Sequence, residues 1–208
     1  NGTVKFEDED LSGLRLLTSS AVTVNSEDSF TLAIYESTFD NFTVDYVGNG
    51  DFVVTSDRFK ISDYLNDVER LQFSDTNLAL DTDGVAGKAY RIYKAAFDRT
   101  PDLPGLGYWI NDMDNGVTLT TVAAGFIASE EFQTRYGGAV SDADFITLLY
   151  ANVLDRTPDQ QGFDYWINDM KMGMSHAAVL ASFSESEENQ RNVFDQIVNG
   201  IEYTPFIS

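Results

Sequence analysis

The residues of this sequence that could bind a metal ion are its clustered aspartates. An Asp-Arg-Thr-Pro-Asp motif occurs at 98–102 and again at 155–159, with oxygen donors at positions 1, 3 and 5, as in the opening of an EF-hand calcium loop. Such a loop also needs Gly at position 6 and Glu at position 12. The residues found there are Leu103 and Trp109 in the first copy, and Gln160 and Trp166 in the second. The motif is therefore interpreted as helix capping combined with Asp–Arg pairing.

Further candidate calcium ligands lie in or near the predicted turns of the first 83 residues. They are Asp51, Asp57, Asp75, Asp81 and Asp83. The segment 48–51, Gly-Asn-Gly-Asp, is similar to one degenerate copy of Gly-Gly-x-Gly-x-Asp, a motif that builds calcium sites only in tandem. Calcium is the cofactor that we predict, with Asp51, Asp75, Asp81 and Asp83 as its candidate ligands. The alternative interpretation of these carboxylates is a solvated acidic face.

Residues suited to catalysis are sparse. His176 is the only histidine, so any Ser-His-Asp arrangement would need it, and the chain has no cysteine nucleophile. The sequence contains no Gly-x-Ser-x-Gly elbow, phosphate-binding loop or dinucleotide fingerprint. Carboxylate pairs of the kind that cleave glycosidic bonds occur on any surface with 34 acidic residues, so their presence alone indicates nothing. We therefore expect a protein without enzymatic activity.

Composition narrows the classes of partner. The chain has 34 Asp and Glu but only 13 Lys and Arg. Its net charge of −21 would repel the phosphates of nucleic acids. No run of 18 apolar residues is present, so we expect no membrane insertion. The first ten residues carry four acidic side chains, the opposite of a signal peptide. We interpret the chain as a piece of a longer protein.

Residues 1–83 have the pattern of β structure. Strand-like runs rich in β-branched and aromatic residues lie at 21–24, 29–34, 41–47, 52–55, 70–73 and 78–80. Phe42, Val44 and Tyr46 alternate with other residues and predict one buried face. The Asn-Gly of Gly48-Asn-Gly50 favours a tight hairpin, because both residues tolerate a positive φ. We expect a mostly antiparallel sheet or a small sandwich.

Residues 85–208 have the pattern of helices throughout. Thr100 and Thr157 are predicted N-caps, each with proline at the first helical position. Thr157 and Gln160 would also form a capping box. Pro104 predicts a late or distorted helix start in the first copy only. Further predicted caps are Ser129 and Ser186, and Gly116 and Gly173 are expected to close helices.

An internal repeat is the most specific feature of the chain. Residues 93–132 align without a gap with residues 57 positions later, at 20 identities in 40 positions. A fixed period of this kind indicates a stacked structural unit, here about four short helices present twice. We expect the two copies to pack together. The Tyr-Trp pairs at 108–109 and 165–166 share one register, which favours a place in the core over an exposed sugar- or peptide-binding platform.

These repeated residues resemble a bacterial family known as domain of unknown function 4214. The resemblance rests on Asp-Arg-Thr-Pro-Asp-x-x-Gly-x-x-Tyr-Trp, on the later Phe-x-x-Ser-Glu-Glu, and on the ending at 198–205. The segments 68–75 and 78–81 are similar to the stretch that joins repeats-in-toxin calcium-binding repeats to this domain. The resemblance covers about 63–208 and leaves the first 60 residues unassigned. More distantly, the motif is similar to phycobilisome linker domains, which bind proteins.

The resemblance implies a location outside the cell and a route of export, but no enzyme activity. Members commonly sit at the end of large secreted or surface proteins that leave the cell through type I secretion. We therefore expect an α+β chain with a β-rich module at 1–83 and a helical domain at 84–208, whose repeats span about 86–142 and 143–199. Its expected role is as a secreted or cell-surface bacterial module that aids export, calcium-supported folding or adhesin-like attachment. The alternatives are a recognition module for a polysaccharide or a surface protein, or an accessory domain of an upstream hydrolase.

Overall fold

A computed structural model describes residues 31–137 and 140–206 of the chain. Seven strands are present among them: β1 (Leu32–Ile34), β2 (Thr43–Gly48), β3 (Asp51–Ser56), β4 (Ile61–Leu65), β5 (Arg70–Gln72), β6 (Asn77–Ala79) and β7 (Ile201–Tyr203). Eight helices lie between β6 and β7: α1 (Val85–Phe97), α2 (Leu103–Asp114), α3 (Leu119–Ala128), α4 (Glu130–Tyr136), α5 (Asp142–Leu154), α6 (Gln160–Lys171), α7 (His176–Ser184) and α8 (Glu187–Ile197). The predicted α+β class is confirmed.

The strands form two sheets. One is the antiparallel meander β2-β3-β4, and the other has the order β1-β5-β6-β7. The predicted hairpin joins β2 to β3, with positive φ at Gly48, Asn49 and Gly50. All pairings are antiparallel except that of β1 with β5, which is parallel; the meander between these two strands provides the long crossover that a parallel pair needs. The predicted strand at 21–24 lies outside the described residues.

Two strands were not predicted from the sequence. β4 was not predicted because Ser62, Asp63 and Tyr64 interrupt its apolar pattern. β7 contradicts the prediction that residues 85–208 are helical throughout, since Ile201 pairs with Ala79 and Tyr203 with Asn77. A three-residue strand is too short to show a period of two, so only its pairing with β6 defines it.

The eight helices are two copies of one four-helix unit. The first residues of α1, α2 and α3 and those of α5, α6 and α7 are all 57 positions apart, as the repeat predicts. The copies pack through α3 against α7 and through α1 against α5 and α7. Val122 and Val179, which occupy the same repeat position, are both fully buried. The helical core continues into the sheet through Ala79, Ile201 and Tyr203, whereas a second core fills the strand region around Tyr35, Phe52 and Leu71.

Candidate functional site

The repeated Asp-Arg-Thr-Pro-Asp motif forms helix boundaries in both copies. Asp98 and Asp155 end α1 and α5 in the left-handed conformation, with φ of 45° and 50°. Asp102 caps α2 by accepting from the Gly105 amide at 2.8 Å, and Asp159 caps α6 by accepting from the Gly162 amide at 2.9 Å. The motif is therefore a turn between two helices.

The predicted caps Thr100 and Thr157 are wrong, since the capping side chains are the aspartates two residues later. Asp102 and Asp159 are themselves extended, with ψ of 145° and 160°, so no helix runs from the Thr-Pro pair through them and each helix begins at the next residue. The predicted Thr157–Gln160 capping box is consequently absent, and the side-chain amide of Gln160 donates to the Asp164 carboxylate instead. Pro104 does not delay α2, because it lies in the first helical turn, where its missing N–H has no intrahelical partner to lose.

The arginine of each motif is held by a glutamate from the same repeat. Arg99 donates two hydrogen bonds to Glu131 at 2.8 and 3.0 Å, and Arg156 donates two to Glu188 at 2.7 and 2.9 Å. These bonds lower the pKa of both glutamates and raise that of both arginines. The predicted caps Ser129 and Ser186 are confirmed, and they place the two glutamates at the starts of α4 and α8.

A tyrosine lies beneath each of these arginines. The Arg99 guanidinium carbon is 5.0 Å from the ring centroid of Tyr93, and that of Arg156 is 4.8 Å from the ring centroid of Tyr150. Burial, together with the hydrogen bond that its hydroxyl donates to Asp102, raises the pKa of Tyr93 to about 12. In each copy the arginine also lies near the capping aspartate, with 3.7 Å between Arg99 and Asp102 and 3.6 Å between Arg156 and Asp159.

The Tyr-Trp pairs divide between core and surface. Trp109 packs against Phe126 and Trp166 against Phe183, each with 4.9 Å between ring centroids, so the core prediction holds for the tryptophans. It is wrong for the tyrosines: Tyr108 is 39% and Tyr165 56% exposed. Consecutive residues of a helix point about 100° apart, and in both repeats this turn brings the tryptophan against the core and leaves the tyrosine on the exposed side.

The single histidine makes structural contacts. Its ring stacks on Phe145 with 4.2 Å between centroids, and its Nε2 lies 3.0 Å from a carboxylate oxygen of Asp142. The hydroxyl next to it, on Ser175, accepts from the Ala178 amide as the cap of α7. His176 therefore joins the starts of α5 and α7.

The four predicted calcium ligands do not all lie together. Asp51, Asp81 and Asp83 line one cleft, whereas Asp75 accepts from the Phe39 amide at 2.9 Å outside it. Asp81 is engaged by the Arg70 guanidinium and by the Ala86 amide. Across residues 31–137 and 140–206, no group of three or more His, Asp or Glu side chains is arranged to hold a metal ion. The described residues thus do not fit a calcium site, and calcium binding stays a prediction.

The cleft that contains three of these aspartates has a volume of about 360 Å³. It lies between the β2–β3 turn, the β4–β5 loop, the β6–α1 loop and α8. Its carboxylates are Asp51, Asp67, Glu69, Asp81 and Asp83, and its aromatic residues are Tyr46, Phe52 and Phe194. Tyr46 was predicted to be buried, but it is 36% exposed, whereas Phe52, its partner across the β2–β3 pair, is buried.

Behind the cleft lies a buried arginine that the sequence analysis missed. Arg70 is 1% exposed, and it contacts Asp81 and, 3.4 Å away, Asp114 at the end of α2. Burial raises the pKa of Asp81, although Arg70 opposes this effect. In the predicted strand at 70–73, Arg70 lies on the same face as Gln72, which is exposed, so the alternation gave no signal that the arginine is buried.

A second buried arginine joins the two repeats. Arg91, on α1, donates two hydrogen bonds to Glu185 after α7, at 2.8 and 2.7 Å. Its remaining terminal nitrogen donates to the Thr82 carbonyl oxygen at 2.8 Å. No sequence signal distinguished this residue from the exposed charges of an amphipathic helix.

The fold defines a class of protein in which a tandem repeat of four helices is attached to a small β region. The family described as "Domain of unknown function (DUF4214)" matches residues 89–133 and 123–193, which together make up about half of the chain. The chain belongs to this family. No curated protein and no solved structure matches it. In the described part of the chain, no helix is long and apolar enough to cross a membrane.

Proposed function

We propose that this chain is a non-enzymatic module of a secreted or cell-surface bacterial protein, where it aids export, calcium-supported folding or surface attachment. The observation that carries the proposal is the identical use of the family motif in both repeats. Asp102 and Asp159 cap helices, and Arg99 and Arg156 bind glutamates, so the most distinctive side chains of the family stabilise the repeat. A module that is attached to other domains needs a stable repeat of this kind.

The proposed contribution of calcium rests on the charge of the whole chain. A net charge of −21 opposes the compact state, and divalent cations outside the cell would reduce that repulsion. Because the described carboxylates form no cluster of three or more suited to an ion, we expect weak bridging at several places on the surface. A low calcium concentration inside the cell would leave the chain easier to unfold for export.

Thermal unfolding of the purified chain tests the role of calcium. We expect the melting temperature in millimolar calcium to exceed that in chelator by several degrees, since a cation that binds the folded state in preference to the unfolded state stabilises it. Magnesium and sodium at equal ionic strength are the controls. Equal melting temperatures in calcium and sodium would remove calcium from the proposal, and metal analysis of the dialysed protein gives the stoichiometry.

Export is tested by fusing the chain to a reporter in a bacterium with a type I system. Deletion of everything after Gln190 is a poor test, because it removes the buried Ile197 and β7 along with any signal. We instead expect secretion to fall when the exposed residues Gln190, Arg191 and Asp195 of α8 are replaced together by alanine. Unchanged secretion of this variant would argue against a signal on that helix.

A second candidate function is recognition of a polysaccharide or a protein partner. The observation that favours it is the exposure of Tyr108 and Tyr165 at equivalent repeat positions. Tyr108 contacts Phe206 with 5.2 Å between ring centroids, and both rings are partly exposed. Titration with soluble oligosaccharides, followed by tryptophan fluorescence, should report ligands here, and a response kept by Tyr108→Ala and Tyr165→Ala would exclude this surface. A third candidate is an accessory domain of an upstream hydrolase.

A further inference from the structure

The cleft between the strands and α8 has an apolar wall as well as an acidic one. Phe194 is 51% exposed on α8, although its neighbours Val193 and Ile197 are buried in the helical core. The ring lies at the junction of the cleft with a second cavity of about 310 Å³, which also shares Thr82 and Asp83. The two cavities form one groove along α8, and Phe194 is part of its surface.

The charged side chains that line the cleft itself are all acidic. The lining of the first cavity, drawn entirely from the described residues, contains five carboxylates and no lysine, arginine or histidine. The second cavity adds Glu187 and two arginines, Arg91 and Arg191, which are paired with Glu185 and Glu187. Asp81 is already engaged by Arg70, but Asp67 and Asp83 are exposed. A cationic group in the cleft would therefore meet carboxylates, while the apolar part of its carrier could lie on Tyr46 and Phe194.

The cleft is fixed in place by contacts between its walls. The Tyr46 amide donates to the side-chain oxygen of Asn199 at 3.0 Å, which ties the β2–β3 hairpin to the segment after α8. Tyr46 also packs edge-on against Phe52, with 5.4 Å between ring centroids. Asp51 is oriented by hydrogen bonds from Tyr64 and Asn66. A ligand would meet a formed groove, which reduces the entropy lost on binding.

We propose that this groove binds a short segment of a partner protein in which a lysine or arginine is next to an apolar side chain. The exposed carboxylates receive the cationic head, and Phe194 and Tyr46 contact the apolar side chain and the aliphatic stem. A free metal ion matches the groove poorly, because no suitable cluster of ligands is present in the described residues and the volume far exceeds that of an ion. The inference goes beyond the proposed function and does not depend on calcium or secretion.

Fluorescence anisotropy with three labelled peptides tests the inference on the full chain. The probes are capped octapeptides of alternating lysine and leucine, lysine and serine, and glutamate and leucine. We expect the Lys-Leu peptide to bind about tenfold more tightly than the Lys-Ser peptide, and the Glu-Leu peptide not to bind. Equal binding of the Lys-Leu and Lys-Ser peptides would overturn the role of the aromatic wall.

Variants with matched controls locate the binding site. Asp67→Asn with Asp83→Asn should weaken Lys-Leu binding about tenfold, whereas Asp40→Asn with Asp57→Asn removes the same charge from exposed positions elsewhere and should change it less than about twofold. Asn tolerates the left-handed backbone of Asp67, where φ is 58°. Phe194→Ala should also weaken binding about tenfold, and Phe206→Ala, at another exposed aromatic, should not.

Equal losses in the two acidic double variants would mean that the peptide senses only the overall charge, and the inference would fail.

Amide chemical shifts supply the second measurement. Binding in the groove predicts chemical-shift perturbations at 46–52, 66–69, 81–84 and 194–198. Perturbations centred on Tyr165 would place the binding site on another face and overturn the inference. Full displacement of the peptide by stoichiometric calcium would assign the groove to a metal and overturn the inference. A melting temperature that is insensitive to calcium, by contrast, would leave it intact.

Discussion

At the scale of single residues, charged side chains of the repeat and of β5 act in pairs that differ in exposure. Arg99 and Arg156 are each a little over a third exposed, and so are their glutamate partners. Arg91 and Arg70 are almost fully buried. Exposed ion pairs contribute little, whereas removal of one member of a buried pair leaves a charge without compensation. The two kinds of pair therefore predict different responses to mutation.

The exposed pairs allow a double-mutant cycle in either repeat. We expect Arg99→Gln and Glu131→Gln to show a coupling free energy of about 0.5 kcal/mol, and the pair Arg156–Glu188 to show the same, because the geometry is bidentate but solvent screens the charges. Urea unfolding measures the four corners of each cycle. The control is the more exposed pair Arg191–Glu187, for which we expect almost no coupling. A larger coupling in the control would contradict this account.

The buried arginine behind the cleft should be far more sensitive. Asp81→Asn removes one of the carboxylates that contact Arg70, which keeps Asp114, and weakens the hydrogen bond from the Ala86 amide, so we expect a loss of about 1–3 kcal/mol in the free energy of unfolding. Asp83→Asn, two residues away and exposed, should change it by less than about 0.5 kcal/mol. Similar losses for the two variants in chemical denaturation would show that burial of Asp81 is unimportant.

A buried carboxyl in the strand region gives a pH dependence of defined sign. Asp63 is 8% exposed and accepts a hydrogen bond from the Tyr35 hydroxyl at 3.2 Å. Burial raises the pKa of Asp63 above its ordinary value of 3.8, and the bond from Tyr35 offsets this only in part. The stabilising contribution of the protonated carboxyl is therefore complete below about pH 3.8 and is lost as the pH rises through the raised pKa.

Wild type should accordingly gain stability over Asp63→Asn when the pH is lowered from 7 to about 4. Carboxylates with lowered pKa values, such as Asp102 and Glu131, contribute less to the free energy of unfolding as the pH falls over the same range. This loss is the same in both proteins, so it cancels in the difference between them. Urea unfolding of the two proteins at a series of pH values measures this difference. A difference that is constant with pH would show that Asp63 titrates normally.

At the scale of elements, the two repeats differ in what covers their second helix. The segment after β7 lies on α2, where the Thr204 amide donates to the Leu103 carbonyl oxygen at 3.1 Å. Gly107 allows this approach, because a Cβ there would lie 1.7 Å from the Thr204 carbonyl oxygen. The second repeat has Asp164 at this position, so an equivalent segment could not lie on α6. The final segment is thereby directed to the first repeat.

Gly107→Ala should therefore lower the free energy of unfolding by about 1–3 kcal/mol, since the backbone of the final segment must shift. The matched control is Asp164→Ala at the same repeat position, where we expect a change of less than about 0.5 kcal/mol. Hydrogen exchange of the amides at 201–204 adds a local measurement. Unchanged protection of these amides in Gly107→Ala would show that the close approach is not needed.

Much of the element order could be predicted from the sequence, because the repeat fixes four helices twice and an Asn-Gly turn marks a hairpin. Contacts between distant segments could not be predicted. The strand at 201–203 is defined by pairing with β6, and the cleft combines residues from the β2–β3 turn and α8. Three of the four candidate metal ligands share that cleft, but sequence spacing could not show that Asp81 is held by Arg70 or that Asp75 lies elsewhere.

At the scale of the whole molecule, the excess of 34 acidic over 13 basic side chains should make stability depend on salt. Added sodium chloride should raise the melting temperature, because screening of the net repulsion outweighs weakening of the few exposed ion pairs. Thermal unfolding at increasing salt concentration measures this effect. A falling melting temperature would show that the local pairs dominate, and equal molarities of sucrose control for solvent exclusion.

The adjacency of β6 and β7 has a consequence for how the molecule is put together. These strands are consecutive along the chain and pair side by side, so all eight helices form one long excursion between the two arms of a hairpin. Its two ends leave the sheet only about 5 Å apart, the spacing of paired strands. In topological terms the helical repeat is an insertion, and the pairing of Ala79 with Ile201 holds its two ends at one fixed separation.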